Sequence, residues 1–151
     1  MTDAAHPATA EELAVLDAAC FPPDQRWSVA AWADELRADD RLLGVRRDAG
    51  ALVAAATVQV VARDADLHRI MVAPGHRGRG LARGLLEEML RRTAGRAGRI
   101  LLEVRDDNVA AIALYRGFGF EVIAARADYY GPGIHARVME RRLAPRHDGI
   151  D

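Results

Sequence analysis

Hydrophobic residues recur along the chain with two spacings, which separate predicted helices from predicted strands. Helical spacing predicts four helices, over Thr9–Cys20, Ser28 to about Arg37, Leu81 onward and Val109–Arg116. Alternating or continuous apolar runs predict strands at Leu42–Arg47, Ala51–Ala62, Asp66–Val72, Arg99–Arg105, Phe120–Tyr130 and Ile134–Leu143. Residues 2–7 are a weaker candidate for a first edge strand. The order is mixed α/β, with meandering strands first and then strand–helix–strand–helix–strand.

Residues at the ends of these segments support the predicted boundaries. Thr9, Ser28 and Asn108 suit helix N-termini, because their side chains can accept a hydrogen bond from a free backbone N–H. Gly117 is placed to end the last helix. Turns are predicted at residues 48–50 and 63–65. Gly84, inside the third helix, is expected to permit close packing against the sheet.

Composition narrows the class of protein. The chain has 151 residues, half of them apolar, and a net charge of −1, which fits one ordinary domain and argues against nucleic-acid binding. All 21 basic residues are arginine, so a lysine nucleophile is excluded. The single cysteine, Cys20, cannot form an internal disulfide, and no signal peptide or long apolar run occurs. The five histidines share no metal-ligand spacing. We therefore expect a cytoplasmic protein with no metal and no membrane contact, a domain over residues 1–143 and a disordered tail over 144–151.

A glycine-rich turn lies between a predicted strand and a predicted helix, with the sequence Arg77-Gly78-Arg79-Gly80-Leu81-Ala82. Such a turn directs backbone N–H groups at a phosphate. A nucleotide P-loop requires lysine and then serine or threonine where Leu81 and Ala82 stand. A dinucleotide-binding turn requires a third glycine where Arg83 stands, although Glu103 follows at about the right distance for the ribose. The third possibility is the acyl-CoA pyrophosphate loop of the GNAT acetyltransferases, whose pattern the turn matches at every position.

A second block of sequence makes this resemblance specific. It comprises Leu102-Glu103-Val104-Arg105, Asn108, Ala110-Ala111-Ile112-Ala113-Leu114-Tyr115, Gly117-Phe118-Gly119-Phe120 and Tyr129-Tyr130. With the turn, the block resembles one GNAT subfamily, the bacterial ribosomal-protein-alanine N-acetyltransferases (RimI). The resemblance covers residues 9–143. It implies one GNAT-like α/β (α+β) domain, with a mixed, mostly antiparallel sheet of about six to seven strands, helices on both faces and a splayed central strand pair.

The resemblance also implies how acetyl-CoA is held. The pantetheine arm is expected to pair with the backbone of Ile70, Met71 and Val72. The pyrophosphate is expected at the start of the following helix, where backbone amides and arginine side chains face it. The residues assigned to it are Arg77, Gly78, Arg79, Gly80, Leu81, Ala82 and Arg83. Asn108 is expected to cap its helix and to contact the cofactor, since an amide both donates and accepts.

The reaction implied by the family is attack of an amine on the thioester. An ammonium ion is not a nucleophile, so a base must first remove a proton. Glu103 is the candidate base, because it is an acidic residue inside an apolar strand; the residues alone equally allow an outward-facing glutamate paired with arginine. Tyr115 resembles the family's proton donor to the leaving thiolate. Packing of its ring on the sheet is the alternative.

The acceptor follows partly from acidity. At pH 7, deprotonation costs about 1 kcal/mol for a protein α-amine and about 4.6 kcal/mol for a lysine. One carboxylate base therefore suits an α-amine, and the resemblance implies the N-terminal alanine of a small-subunit ribosomal protein. Trp27, Tyr129 and Tyr130 are candidates for flanking the acceptor.

Two other functions stay open from the sequence. Pro23 to Arg26 interrupt a Phe-Pro-Trp-Ser run that is continuous in the family. Because that loop shapes the acceptor side, acetylation of a small amine such as an amino acid or polyamine is the first alternative. A noncatalytic acetyl-CoA-binding module is the second, although pure binding needs neither Glu103 nor Tyr115.

Overall fold

The computed structural model describes residues 7–143, which form four helices and six strands. The helices are α1 (Ala10–Cys20), α2 (Val29–Arg37), α3 (Leu81–Thr93) and α4 (Val109–Gly117). The strands are β1 (Arg41–Asp48), β2 (Ala51–Val61), β3 (Asp64–Val72), β4 (Arg99–Arg105), β5 (Glu121–Arg126) and β6 (Ala136–Arg142). They form one sheet in the order β1-β2-β3-β4-β6-β5. The α+β class and the mixed six-stranded sheet agree with the prediction.

Strand pairing is antiparallel except at the centre of the sheet. β1 pairs with β2, and β6 pairs with both β4 and β5, in antiparallel register. β3 and β4 are parallel, with a register over the first three residues of each strand, Asp64–Asp66 and Arg99–Leu101. This short register at the starts of two longer strands agrees with the predicted splayed pair.

The chain divides into two compact units, of which the first comprises residues 7–59 and 68–89. Thr9 caps α1 in a reciprocal capping box with Glu12, and Ser28 caps α2, both as predicted. The core of this unit includes Leu13, Leu16, Trp32, Ala55 and Met71. Packing of apolar helix faces on β2 and β3 therefore fixes the first two helices.

The second unit comprises residues 60–67 and 90–143. Burial alternates along β4, where Ile100, Leu102 and Val104 are buried and the residues between them are partly exposed. Phe120 and Met139 of the same unit are also fully buried. The alternation decides which face each β4 side chain occupies.

Several boundaries differ from the sequence-based expectation. The β2–β3 turn lies at residues 62–63 rather than 63–65, with Ala62 in a left-handed conformation at φ 55°. β5 ends at Arg126, so the predicted strand to Tyr130 is too long by four residues. Gly117 is the last residue of α4, but the left-handed glycine is Gly119 at φ 89°. The predicted edge strand at residues 2–7 and the tail from 144 lie outside the described chain, apart from Pro7, which is in a bend.

Close packing of α3 depends on Gly44 rather than Gly84. A Cβ added at Gly84 would come within 3.6 Å only of an Arg46 side-chain nitrogen, which is an ordinary contact. A Cβ at Gly44 on β1 would lie 2.7 Å from Met89 Cε and 3.2 Å from Leu85 Cδ2. The glycine that lets the helix approach the strand is therefore on the strand.

The described residues show two further absences. No helix in residues 7–143 is long and apolar enough to cross a membrane. Over the same range, no group of three or more His, Cys, Asp or Glu side chains is arranged to hold a metal ion.

Candidate active site

The predicted base, Glu103, lies in the middle of β4 on its less buried face. Its side chain is 29% exposed, because the neighbours Leu102 and Val104 take the buried face. Of the two positions that the residues alone allowed, the structure shows the outward-facing one. Alternation along the strand turns Glu103 away from the core, as the arginine-paired interpretation required.

Glu103 belongs to a cluster with Arg126 and Tyr129. Its Oε2 lies 2.9 Å from Nε of Arg126, at the end of β5. A hydrogen bond to Glu103 raises the pKa of the Tyr129 hydroxyl, and partial burial adds to the effect. The Arg126 guanidinium carbon lies 5.2 Å from the centre of the Tyr129 ring. The guanidinium therefore pairs with the carboxylate and lies over the phenol ring.

The tyrosine pair lies in the loop between β5 and β6. The Tyr129 and Tyr130 rings meet edge to face with centroids 5.0 Å apart, and Tyr129 is 48% exposed. The Tyr130 N–H donates to the Ile134 carbonyl at 3.0 Å, which closes the loop. The structure therefore brings Tyr129 to Glu103 and leaves much of its ring open to an acceptor.

Tyr115 is buried on α4, where its ring packs 5.7 Å from that of Phe120. Burial raises the pKa of Tyr115 to about 12, with a smaller contribution from Tyr130. The hydroxyl therefore keeps its proton at neutral pH. That is the protonation state which a donor to a thiolate needs.

Asn108 caps α4 as predicted, since its Oδ1 accepts from Ala111 N–H at 3.1 Å. The cap fixes the start of the helix that carries Tyr115. The amide nitrogen of Asn108 remains on an exposed residue, which is compatible with the predicted cofactor contact.

The glycine turn has the conformation expected of a phosphate-binding loop. Gly78 and Gly80 have φ values of 80° and 79°, in the left-handed region that glycine adopts readily. Helix α3 begins directly afterwards at Leu81, and residues 77–80 are exposed. The turn therefore presents an accessible helix N-terminus, where an anion is favoured.

The end of β3 is held by contacts to one carbonyl group. The Val72 carbonyl accepts from Arg77 Nε at 3.0 Å and from the Cys20 thiol at 3.3 Å. Met71 is buried, whereas Ile70 and Val72 are partly exposed. Burial raises the pKa of the half-buried Cys20 thiol, so it acts as a donor here. Both lone pairs of the Val72 carbonyl are engaged, and a pantetheine amide would compete for them.

Trp27 is packed into the first unit rather than standing open in a groove. Its ring lies 4.7 Å from that of Trp32 in the core, and the backbone N–H of Trp27 donates to Asp17 Oδ1 at 3.1 Å. Arg69 of β3 lies over the same ring and over Phe21, at 4.7 Å and 3.9 Å. Trp27 therefore packs against the core of this unit, and part of its ring stays exposed.

Comparison with known proteins assigns this geometry to a family. The family model described as Acetyltransferase (GNAT) family matches residues 8–120, about three quarters of the chain. The chain belongs to the GNAT acetyltransferase family. It is therefore an acetyltransferase, and the resemblance found in the glycine turn is confirmed.

Individual GNAT relatives are also similar over most of the chain. The N-alpha-acetyltransferase RimI of Mycobacterium tuberculosis is 38% identical over 139 residues, covering 89% of this chain and 87% of its own. The [ribosomal protein bS18]-alanine N-acetyltransferase of Escherichia coli is 36% identical, covering 74% and 79%. The crystal structure of the Escherichia coli ribosomal-protein-S18-alanine enzyme superposes with a TM-score of 0.82 at 27% identity, covering 94% and 92%.

Arg126 of the Glu103 cluster was not found by sequence reasoning. It carries no motif and becomes informative only through Glu103, a partner distant in sequence. The sequence did indicate that Glu103 could pair with an arginine, since that was one of the two interpretations of this glutamate. Nothing in the sequence indicated which of the 21 arginines would supply it.

Proposed function

We propose that this GNAT enzyme transfers the acetyl group of acetyl-CoA to the N-terminal α-amine of a protein, namely the N-terminal alanine of a small-subunit ribosomal protein. The similarity, in both sequence and structure, to the Escherichia coli acetyltransferase named for ribosomal protein S18 supports the choice of acceptor. A carboxylate and a neutral phenol in one structural unit support the chemistry. Cytoplasmic ribosomal proteins are the partners expected of such an enzyme.

Glu103 is the proposed base. Its carboxylate accepts a proton from the acceptor ammonium, and the free amine attacks the thioester carbonyl carbon. The carbon–sulfur bond then breaks as the amide forms, the nitrogen releases its second proton to solvent, and the thiolate leaves. Glu103 can take part because it is partly exposed and its two oxygens offer about four acceptor sites.

Tyr115 is the proposed acid, which donates its hydroxyl proton to the departing thiolate. Since its pKa is raised to about 12, the proton is present throughout the neutral range. The Tyr115 phenolate then regains a proton from solvent or from the protonated carboxyl group of Glu103. Each cycle therefore restores both groups.

Acetyl-CoA is the cosubstrate of this proposal. The turn from Arg77 to Arg83 is assigned to its pyrophosphate, since exposed left-handed glycines precede a helix N-terminus there. Ile70, Met71 and Val72 are assigned to the pantetheine arm, and Asn108 is assigned to a contact with the cofactor. Bound there, the cofactor supplies the activated acetyl carbon.

The deciding experiment offers acetyl-CoA with an alanine-starting peptide, an Nα-blocked lysine peptide and free amino acids or polyamines. We expect transfer to the alanine peptide at the highest kcat/KM. Transfer to small amines alone would replace this proposal with the small-amine function, and binding without turnover would indicate a noncatalytic module.

The base is tested with Glu103→Gln, with Glu121→Gln as the matched control on the exposed strand β5. We expect Glu103→Gln to lower kcat about 10²- to 10⁴-fold while acetyl-CoA binding is kept. The control should behave as the wild type. Equal turnover in both variants would exclude Glu103 as the base.

A further inference from the structure

The Glu103–Arg126–Tyr129 cluster fixes the guanidinium of Arg126 from two sides. Its Nε is held 2.9 Å from Glu103 Oε2, and one face lies over the Tyr129 ring at 5.2 Å. Glu103 also raises the pKa of the Tyr129 hydroxyl, so the carboxylate acts on both the guanidinium and the phenol. A guanidinium held in this way has little rotational freedom left to lose when it binds something else.

Arg126 still has donors to offer in this arrangement. A guanidinium carries five N–H groups, and the contact with Glu103 uses the nitrogen nearest the chain. The side chain is 56% exposed, in contrast to 29% for Glu103. The two terminal nitrogens therefore remain outside that contact, on a side chain that is more than half exposed.

The adjacent carboxylate and guanidinium match one chemical feature of an acceptor. In an N-terminal residue, the α-amine nitrogen and its own carbonyl oxygen are about 3 Å apart, from standard backbone bond lengths. The carboxylate and guanidinium of the cluster are in direct contact, at 2.9 Å between Glu103 Oε2 and Arg126 Nε, so a ligand that binds both groups must carry its amine and carbonyl close together. A lysine side chain has no carbonyl close to its amine. A β-amino residue has its carbonyl one methylene farther away.

We propose that Arg126 is a specificity-determining residue, whose terminal nitrogens bind the carbonyl oxygen of the acceptor's first residue while Glu103 accepts from its amine. This inference rests on the proposed function, because it takes Glu103 as the base. It restricts the acceptor to α-amino-acyl groups, whether they belong to a protein or to a small amide. In this arrangement, the Tyr129 ring holds the guanidinium of Arg126 in place.

The experiment compares an alanyl peptide with a β-alanyl peptide of otherwise identical sequence. The readout is the ratio of their kcat/KM values, which cancels any general effect on the base. For the wild type we expect a ratio of about 10 to 100, the range for one hydrogen bond from a charged donor. Arg126→Gln should bring the ratio to within about threefold of unity, mainly by lowering the alanyl value.

Two further variants make the result decisive. Arg116→Gln removes an exposed arginine from α4 and should leave the ratio unchanged. Arg126→Lys keeps a charge near Glu103 but loses the planar fork, and we expect its ratio to stay low. A wild-type ratio retained in Arg126→Gln or in Arg126→Lys overturns the assignment.

Failure of the proposed function can be told apart from failure of this inference. If the wild type acetylates no peptide, the proposed protein acceptor is wrong. The ratio is then measured with alaninamide and β-alaninamide, which carry the same two amine–carbonyl spacings. A ratio near one in the wild type overturns the assignment of Arg126, whichever acceptor pair is used.

Discussion

The buried carboxylate of Asp17 should contribute strongly to the stability of the first unit, and Asp17→Asn tests this. Asp17 is fully buried and accepts from three donors. They are Trp27 N–H at 3.1 Å, Trp32 Nε1 at 3.2 Å and Arg69 Nη1 at 3.0 Å. Asparagine has nearly the same shape but turns one acceptor oxygen into a donor.

The magnitude follows from what the substitution leaves unpaired. One donor must face the new NH₂ group, and Arg69, with a side chain only 14% exposed, loses its countercharge. Removing one partner of a buried ion pair lowers the free energy of unfolding by about 3–5 kcal/mol. For a chain of this length, that corresponds to a fall in Tm of about 6–20 °C.

The assay is thermal unfolding followed by circular dichroism at neutral pH. Asp24→Asn is the control, since Asp24 lies in the same part of the chain but is exposed. The double variant Asp17→Asn/Arg69→Met should be destabilised by less than the sum of the single variants, because it leaves no unpaired charge. A fall in Tm below about 2 °C for Asp17→Asn, or strict additivity in the double variant, would refute the reasoning.

Three other predictions concern separate parts of the molecule. Tyr115→Phe should lower kcat about 10²- to 10⁴-fold. Because burial raises the pKa of Tyr115 to about 12, wild-type stability should also decline as pH rises from 10 to 12, and an equally steep decline in the Phe variant contradicts this. Burial acts to raise the pKa of Glu35, but hydrogen bonds from His68 and Thr57 outweigh it and lower the pKa to about 2. The resulting stabilisation is present above pH 4.5 and lost as pH falls toward 2, so acid titration of Glu35→Gln should show a shallower loss. Gly80→Ala should lower the free energy of unfolding by about 1–2 kcal/mol through the left-handed φ alone, since an added Cβ meets nothing within 4 Å. The substitution should also raise the KM for acetyl-CoA. An unchanged Tm and KM would contradict this prediction.

Local sequence signals predicted the elements well where one short segment contains the whole cause. The caps Thr9, Ser28 and Asn108 are correct, because a capping side chain bonds to a backbone group three residues away. The left-handed glycines of the Gly78–Gly80 turn follow from the same kind of local chemistry. Prediction was weaker at Gly117 and Gly119, where two nearby glycines could each end a helix and local preference did not choose between them.

The site was predicted only in part, for a physical reason. The motifs named Glu103 and Tyr115, and the family match extends over both. Which face of β4 carries Glu103 depends on which alternate side chains the sheet buries. The residues alone allowed either face, and the alternation of burial along the strand directs Glu103 outward.

The sequence by itself determined the order of helices and strands, the phosphate-binding turn and the GNAT family, because each is written in residues close together in the chain. Tertiary structure decided which charges meet. The pairs Glu103–Arg126, Asp17–Arg69 and Glu35–His68 join residues 23, 52 and 33 positions apart. An arginine-rich chain offers many partners for each acid, and only the register of the sheet and the packing of the helices bring a particular two within 3 Å.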